Sequence, residues 1–500
     1  MKLSLLSLFI VLSIPSYSQE YFSRILPTED NPLLKSFEKI NDRYIIPVDF
    51  FSAEGVKGGY LEMNQNGEVN RYKFDNMDLC SYPLAFDEDN FYFLGENPNR
   101  EGDSTFFISI IDQDDHTQDF YEEYTIDSPK MNPRTILIDN DDVYAINVEL
   151  EATTSNYPQE LSIYKFSKNG ESKNIWKYNT NKRASFAWES FLSMDKFIII
   201  SCLHSDPNPG PGPNPASSQV IKINTDGETI WNYEGTEDLD HGAVPTWITE
   251  LSDSTILQTY IVDHFLDLEY IINDWHPYPS KFIWLSKDGE LIKEKTIIHS
   301  EKDNIIYSGI EKGLGNYFFA YGEIASLDPD PGKKISCHLT KFSNSGDTIW
   351  THNYQHPDFS DNDNTSYIND IIEEENGDIT VLATLRKPIS KSEVWLFKLN
   401  SDGCYVNSEC EDMTNLVSVT DTDIEEVTLY PNPVINEVTI KSSSIIKSIK
   451  IRNTAGIIIR ELDVNNQTVT IEMKDFPKGL YNIQIFSAGQ KMTSKQVVKW

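Results

Sequence analysis

The chain has 500 residues and a formal net charge of −36, with 78 Asp and Glu against 42 Lys and Arg. This balance excludes a nucleic-acid-binding protein, because phosphates need Lys and Arg as partners, and it disfavours an anionic membrane surface for the same reason. Aromatic residues make up 12% of the chain, so it can bury a large core and is not a disordered protein.

The segment 1–18 is predicted to be a secretory signal peptide. Lys2 provides a basic start, Leu3 to Ile14 is an apolar run too short to span a bilayer, and small residues precede the expected cut between Ser18 and Gln19. A buried N-terminal strand or helix is the alternative interpretation. Since no later segment reaches about 18 apolar residues, we expect no transmembrane span.

The region 19–410 contains a degenerate repeat that ends in a Gly-containing turn. The clearest copies end at Gly170, Gly227, Gly289, Gly346 and Gly403. The nearly constant interval between these glycines, about 57–62 positions, indicates one structural unit used repeatedly. Leu61 to Gly67 fits the same frame, and Ser109 to Asp115 is a further copy that has lost its Gly. The repeat therefore has seven copies.

Each copy is predicted to be four short antiparallel strands without a helix. Asn-Gly or Asp-Gly between alternating apolar residues indicates a tight hairpin, because Gly tolerates positive φ. An apolar strand marked by Trp176, Trp231 or Trp350 follows, and a second hairpin precedes. A period in the fifties with four strands is typical of a propeller blade, so seven copies predict seven blades. The repeats resemble the quinoprotein (PQQ-like) propeller repeats, in which a Gly turn is followed by Trp. Two β-sandwiches are the competing interpretation.

The ring is predicted to close through the beginning of the mature chain. The copy that ends at Gly403 has no fourth strand, because a polar segment follows its turn. Tyr21 to Leu26 is an apolar segment, and a polar stretch follows it. The same order is found after Trp176 and Trp231 in other copies. We expect it to supply the missing outer strand, with Phe22 near Leu399, so that no long edge stays unpaired.

The long connections between strands are expected on one face of the disc, opposite the tight turns. Function concentrates in such loops. Two loops of the fifth copy are richest in side chains that bind ligands, and the candidate ligand face consists of Asp240, His241, Asp263, His264, Asp274 and His276. Carboxylate and imidazole together could bind a divalent metal. We favour a solvated acidic loop, because no zinc spacing and no calcium loop with its Gly is present. No cofactor is therefore predicted, and calcium is the alternative left open.

No catalytic residue is predicted. The chain has no Gly-x-Ser-x-Gly elbow and no phosphate-binding Gly-rich loop before a helix. Quinoprotein dehydrogenases of the resembled type often hold their cofactor beside adjacent cysteines, and this chain has no adjacent pair. These absences favour a non-catalytic protein that binds a glycan or a peptide. A hydrolase or lyase on the same scaffold is the alternative.

Five cysteines exclude a disulfide-rich scaffold. Cys404 and Cys410 are the two that lie close in sequence, and an exported chain can oxidise them, so we predict a disulfide between them. Cys202 and Cys337 lie in apolar strand patterns and are predicted to be buried thiols.

The segment 426–500 reads as a small β-sandwich of the immunoglobulin type with about seven strands. It begins near Tyr430-Pro431-Asn432-Pro433, contains a Gly479-x-Tyr481 strand and ends in a basic strand from Lys491 to Lys499. These motifs resemble the type A C-terminal sorting domain of the type IX secretion system of Bacteroidota. The resemblance begins at about Ile424, extends to Trp500 and covers none of the propeller.

The resemblance implies recognition by an outer-membrane translocon and removal by a sortase-like protease, with the cut in the linker 411–425. It also implies attachment to anionic lipopolysaccharide at the cell surface, or release. The residues expected to carry recognition are Tyr430, Pro431, Asn432, Pro433, Gly479, Tyr481, Lys491, Lys495 and Lys499. The predicted fold is thus all-β, a seven-bladed β-propeller followed by an Ig-like sorting domain.

Overall fold

The computed structural model describes residues 23–26, 34, 36–52, 55–64, 67–77, 84–97, 104–126, 130–150, 159–178, 183–205, 216–235, 242–263, 280–297, 303–326, 335–356, 365–386, 392–405, 428–453, 458–474, 476–487 and 492–500. These residues form strands and turns, with no helix among them. The chain divides into two compact units, the first made of residues 1–290 and 298–418 and the second of residues 291–297 and 419–500.

Five sheets have four strands each, paired in chain order as antiparallel meanders. Meander 1 contains β2 (Glu38–Ile40), β3 (Arg43–Ser52), β4 (Gly55–Asn64) and β5 (Val69–Lys73). Meander 2 contains β6 (Ala85–Phe86), β7 (Asn90–Asn97), β8 (Ser104–Asp112) and β9 (Gln118–Ile126). Meander 3 contains β10 (Lys130–Asp139), β11 (Asp142–Leu150), β12 (Gln159–Ser167) and β13 (Ser172–Tyr178). Meander 4 contains β14 (Arg183–Leu192), β15 (Ile198–Ser205), β16 (Ala216–Ile223) and β17 (Thr229–Glu234). Meander 5 contains β18 (Gly242–Glu250), β19 (Ile256–Asp263), β20 (Ser280–Leu285) and β21 (Leu291–Ile297).

An eight-stranded sheet contains two further meanders, joined by one parallel pair, Ile335 with Thr365. Meander 6 contains β22 (Asp303–Lys312), β23 (Tyr317–Ser326), β24 (Ile335–Ser343) and β25 (Thr348–Tyr354). Meander 7 contains β26 (Thr365–Glu373), β27 (Ile379–Arg386), β28 (Glu393–Leu399) and β1 (Ser23–Leu26). β1 pairs antiparallel with β28, as predicted for the segment that begins at Tyr21. Residues 21 and 22 lie outside the described part.

Each meander packs on the next through apolar side chains, because both faces of every sheet carry them. Buried clusters join meanders 1 and 2, 2 and 3, 3 and 4, and 4 and 5. The Phe282 ring of meander 5 lies 5.8 Å from the Phe318 ring of meander 6. Further clusters join meander 6 to 7 and meander 7 back to 1. The meanders therefore form a closed ring, and each buried Phe or Leu contributes about 1.5–3 kcal/mol.

The outer strand of one meander docks on the last turn of the next. A Cβ added at Gly227 would lie 2.4 Å from the Trp176 ring, so the indole rests directly on the glycine. The same relation joins Phe120 to Gly170, Trp231 to Gly289, Trp350 to Gly403, and Arg24 of β1 to Gly67. These turn glycines have φ between +75° and +87°. These five glycines therefore serve both the turn and the contact between meanders.

His116 takes the glycine position in the copy that lacks Gly. It has a φ of +60°, one residue after the Asp115 position that the repeat pattern indicates. Its ring stacks on Tyr72 of meander 1 with ring centres 4.0 Å apart. An aromatic contact with Tyr72 thus replaces the usual docking on glycine.

Among the described residues of its sorting segment, the second unit contains five strands: β29 (Thr428–Tyr430), β30 (Glu437–Asn453), β31 (Ile458–Glu472), β32 (Gly479–Ser487) and β33 (Met492–Lys499). The expectation of about seven strands is corrected here. Two pairs of predicted strands are each one continuous strand, β30 and β31, because no turn interrupts the extended chain. β30 pairs with β29 and β31 in its first part and with β31 and β32 in its second.

Candidate functional site

Four first strands carry carboxyl groups that interact electrostatically with one another. Glu38 lies on β2, Glu189 on β14, Glu311 on β22 and Asp370 on β26. All four side chains are partly buried, and the charge of Asp370 in meander 7 acts on Glu189 in meander 4. Because meanders 4 and 7 are not neighbours, these groups face each other across the middle of the ring. We call the four carboxyl groups the inner cluster.

Local register explains why two of these side chains point inward. The pairing of β14 with β15 shifts between Ala187 and Glu189, and that of β26 with β27 shifts between Ile368 and Asp370. Such a bulge places an extra residue on one strand and turns the following side chain. On a first strand, the unpaired edge faces the middle of the ring, so the turned carboxyl group enters that space.

Two members of the inner cluster also hold neighbouring meanders together. Glu189 Oε2 accepts a hydrogen bond from the Ile248 backbone N at 2.8 Å. Asp370 Oδ2 accepts one from the Phe37 N at 3.1 Å, and its Oδ1 accepts one from the Tyr321 hydroxyl at 3.1 Å. These bonds give Glu189 and Asp370 a structural role.

Burial raises the pKa of every member of the inner cluster. It raises the pKa of Glu38 and Glu189 to about 8 and that of Asp370 to about 7. Burial also raises the pKa of Glu311 well above its usual value, and the charges of Asp370, Glu189 and Glu38 add to this effect. At neutral pH the cluster therefore retains protons. A neutral carboxyl group both donates and accepts hydrogen bonds.

The pKa of Glu374, four residues after Asp370, is shifted in the opposite direction. Its carboxylate bonds Lys39 Nζ at 2.7 Å, Lys398 Nζ at 2.9 Å and the Tyr44 hydroxyl at 2.7 Å. Although burial alone would raise it, these partners lower the pKa of Glu374 to about 2. This is a structural ion cluster between meanders 1 and 7, because both cations lie on those meanders.

The inner cluster lies towards the first hairpin turns. Glu38, Glu189, Glu311 and Asp370 each lie shortly before the first turn of their meander. The long connections leave from the other ends of these strands, so reasoning from long loops missed this site. An acidic residue inside the apolar stretch before the first turn, in four copies, is the signal that could have found it.

The candidate ligand face falls almost entirely outside the described residues. Asp240, His241, His264, Asp274 and His276 are not described. Asp263 is the last residue of β19, and its backbone pairs with Gly242. The described residues therefore do not test this face, and it stays a prediction.

The sorting-signal residues occupy two segments that lie side by side. Tyr430 ends β29 and is 52% exposed, and the peptide bonds before Pro431 and Pro433 are cis. The Asn432 Oδ1 accepts a hydrogen bond from the Val498 N at 2.9 Å. The motif at the start of the domain is therefore attached to its last strand.

The other sorting-signal residues lie on β32 and β33, which pair with each other. Tyr481 is buried and its hydroxyl donates to the Pro477 carbonyl at 2.7 Å. Gly479 begins β32, and Lys495 is exposed on β33. Lys499 is buried, and Lys491 lies outside the described residues.

The cysteines are in two redox states. Cys202 and Cys337 are free and buried, as predicted, and burial raises the pKa of both thiols to about 12. Cys404 is disulfide-bonded. Its pairing with Cys410 stays a prediction, because Cys410 lies outside the described residues, as do Ser18 and Gln19.

Two further features bear on function. Within the described ranges, no group of three or more His, Cys, Asp and Glu side chains is arranged to hold a metal ion. In the same part of the chain, no helix has the length and apolar character needed to cross a membrane.

Solved structures of low identity are similar to this chain. An ulvan lyase of a new polysaccharide lyase family is 10% identical with a TM-score of 0.52, over 76% of this chain and 97% of that chain. The same lyase bound to -[GlcA(1-4)Rha3S]- is 9% identical with a TM-score of 0.49, over 76% and 97%. The polysaccharide lyase Uly1 is 10% identical with a TM-score of 0.48, over 76% and 91%. The first of these likenesses supports an all-β, propeller-like fold, and no more.

A search of curated proteins found no match. Residues 428–499 match the family model described as a secretion system C-terminal sorting domain. This match agrees with the motifs at Tyr430 to Pro433 and at Gly479 to Tyr481. The chain therefore carries a sorting domain of the type IX secretion system, through which the protein is exported to the cell surface or the medium.

Proposed function

We propose that the exported protein is a seven-bladed β-propeller of the quinoprotein-like repeat type that binds a glycan or a peptide without catalysing a reaction. The closed ring of meanders 1 to 7 supports the blade count. An Ig-like sorting domain follows, in which the long strand β30 exchanges β29 for β32 as its partner along its length.

The observation that carries the binding proposal is the inner cluster. Four carboxyl groups from four blades interact with one another, and burial raises the pKa of all four, to about 8 for Glu38 and Glu189, so that these two are protonated at neutral pH. Neutral carboxyl groups can pair with hydroxyl and amide groups in either direction. A sugar or a peptide backbone offers such groups, so the cluster fits a polar, uncharged ligand segment.

Catalysis by the same groups is the second candidate. A carboxyl group with a pKa near 7 is suited to general acid or base chemistry, and Asp370 bonds the Tyr321 hydroxyl. A hydrolase or lyase would use such a pair. Asp370 and Glu189 accept hydrogen bonds from backbone amides. These bonds connect neighbouring meanders, and a structural role of this kind favours the binding protein over the enzyme.

The test is a screen of residues 19–500 against glycan and peptide arrays, together with a Glu311→Ala variant. Glu311 is chosen because Glu189 and Asp370 hold neighbouring blades. Glu375→Ala, an exposed change in a turn of meander 7, is the matched control. We expect binding at pH 6 that weakens at pH 8, and a loss of affinity of about ten-fold or more in Glu311→Ala only.

Products separate the two candidates. A binding protein leaves every retained glycan or peptide unchanged, as mass spectrometry would show. New reducing ends, an unsaturated sugar or cleaved peptide would refute the non-catalytic proposal. If wild type and Glu311→Ala bind equally well, the inner cluster is not the binding site.

Processing after export is proposed from the family resemblance. A translocon would read the sorting domain, a sortase-like protease would cut within 411–425, and the product would attach to anionic lipopolysaccharide or be released. Deletion of 428–500 should leave the protein in the periplasm, with the signal peptide cut before Gln19. No cofactor is proposed. Calcium at Asp240, His241 and His264 is the alternative, and it would raise the melting temperature in calcium only while those residues are present.

A further inference from the structure

We propose that Tyr430, Ile435, Val498 and Trp500 form an apolar docking surface, here called the sorting patch, through which the sorting domain binds an acidic protein of the secretion machinery. The inference rests on the export function of residues 428–499 and deepens it. It adds Ile435 and Trp500, which lie outside the sorting motifs, and Val498, which lies in the basic strand but is not among the residues expected to carry recognition.

Backbone hydrogen bonds bring the two halves of the sorting patch together. The Val434 N donates to the Val498 carbonyl at 2.7 Å, and the Trp500 N donates to the Val434 carbonyl at 2.9 Å. Val434 and Lys499 form an isolated parallel bridge. The segment after Pro433 therefore runs as a short extra strand beside the end of β33.

Alternation of side chains places the apolar groups on the outer face. Val434 and Lys499 are paired and point inward, with exposures of 0% and 7%. Their successors, Ile435 and Trp500, must then point outward together, and they are 64% and 65% exposed. Val498, on the same outer parity, is 37% exposed.

Contiguous exposed apolar side chains on a soluble domain mark an interaction site. Trp and Tyr are the residues that most often dominate the binding free energy of protein interfaces. The Asn432 side chain, bonded to the Val498 N, holds the two halves in one arrangement. The sorting patch thus offers a preformed surface with Trp500 as its aromatic anchor, and Tyr430, two residues before Asn432 and 52% exposed, is a second aromatic side chain available to a partner.

Charge indicates the kind of partner. Residues 428–500 contain ten Lys and Arg against five Asp and Glu, although the whole chain carries −36. A domain with such an excess of positive charge is steered towards an acidic surface. Lys499, which stands between Val498 and Trp500 in the chain, is buried, and none of the four side chains of the patch carries a charge. This arrangement fits an apolar groove with an acidic rim on a protein better than an anionic lipid surface.

The experiment follows export of the full chain in its secreting host. In the variant Ile435→Ser with Trp500→Ser, we expect at least about a ten-fold loss of protein at the surface and accumulation in the periplasm. The control is Ile445→Ser with Ile459→Ser, two residues of the same domain that are 42% and 45% exposed, and it should be exported normally. Both purified variants should melt at the wild-type temperature.

A photo-crosslinking residue at position 435 should capture a component of the secretion machinery, and the capture should be lost with Trp500→Ser. Three results would overturn the proposal: normal export of the patch variant, a dimer of the full chain that the patch variant dissolves, or patch-dependent binding to lipopolysaccharide vesicles. Deletion of 428–500 tests the sorting function separately. If the deletion is retained and the patch variant is exported, the patch proposal alone fails.

Discussion

At the scale of single residues, the pKa of a glutamate is lowered at one position and raised at another because the surroundings differ. Glu374 is bonded by two lysines, and their charge lowers its pKa to about 2. Glu189 is surrounded by protein and receives one backbone N–H, so burial dominates and raises its pKa to about 8. Removing a carboxylate from water without a cation favours its neutral form.

The inner cluster predicts a stability that falls as the pH rises. Glu38 and Glu189 have folded pKa values of about 8 against an ordinary 4.5. Between these values the folded state binds more protons than the unfolded state, so the free energy of unfolding decreases from about pH 5 to pH 8. Urea denaturation at several pH values should show a decrease of roughly 2 kcal/mol or more, since one pKa unit corresponds to about 1.4 kcal/mol.

The double variant Glu38→Gln with Glu189→Gln should reduce this dependence, because amides do not ionise, while Glu311 and Asp370 still contribute to it. Glu375→Gln, an exposed change, should leave the slope as in wild type. A slope in the double variant as steep as in wild type would show that other groups cause it.

At the scale of the strand and its turn, the contact between neighbouring meanders depends on glycine. Trp176 rests on Gly227, Trp231 on Gly289 and Trp350 on Gly403. The Trp231 Nε1 also donates to the Lys287 carbonyl at 2.9 Å. A side chain at the turn would displace the aromatic ring, so the same glycine is needed for two independent reasons.

A pair of glycine substitutions distinguishes the need for positive φ in the turn from the need for space beneath the aromatic ring. Gly227 and Gly377 both have a φ of +87°, so replacing either by Ala should cost about 1–2 kcal/mol for the left-handed backbone. A Cβ at Gly377 would approach only the Ser401 Cβ, at 3.4 Å, whereas one at Gly227 would lie 2.4 Å from Trp176. Gly227→Ala should therefore cost a further ~1–3 kcal/mol from overpacking and change the tryptophan fluorescence. Equal losses of stability in urea would contradict the docking role.

At the scale of the whole first unit, closure depends on the short strand β1 at the beginning of the described chain. Ser23 to Leu26 pair with β28, the Trp395 Nε1 donates to the Ser23 hydroxyl at 3.0 Å, and Arg24 Nη1 donates to the Gly67 carbonyl at 2.9 Å. Leu26 is 1% exposed in the cluster between meanders 7 and 1. The contact of β1 with meanders 7 and 1, here called the seam, therefore combines a strand pair with buried apolar contacts.

Opening this seam should lower stability and promote association. Leu26→Ala should reduce the free energy of unfolding by about 2–5 kcal/mol, as for other buried leucines. Deletion of residues 19–26 should do more, because β28 then becomes an unpaired edge that can pair with another chain. Arg24→Ala, at an exposed position of the same strand, removes only the hydrogen bond to the Gly67 carbonyl and should cost about 0.5–1.5 kcal/mol. Light scattering during thermal unfolding measures the association, and a deletion variant as stable and monomeric as wild type would show that β1 does not close the ring.

The sequence by itself determined the features that rest on local chemistry. Gly at a fixed interval, followed by an aromatic strand, predicts the turn and the outer strand of each meander, because positive φ is a property of single residues. The sorting domain was evident from Tyr430 to Pro433 and from Gly479 to Tyr481, since short sequence motifs can be identified without knowledge of the tertiary structure. The missing strand after Gly403 could be counted, and so the role of β1 could be predicted.

Only the tertiary structure decided what depends on distant parts of the chain. The inner cluster consists of Glu38, Glu189, Glu311 and Asp370, which come from four strands far apart in the sequence. An acidic residue before the first turn marks each strand, but only the tertiary structure brings the four carboxyl groups within interaction range. The sorting patch required the bridge between Val434 and Lys499. The long strand β30 was divided in two by reasoning from propensity, because strand pairing, which keeps it continuous, is a non-local interaction.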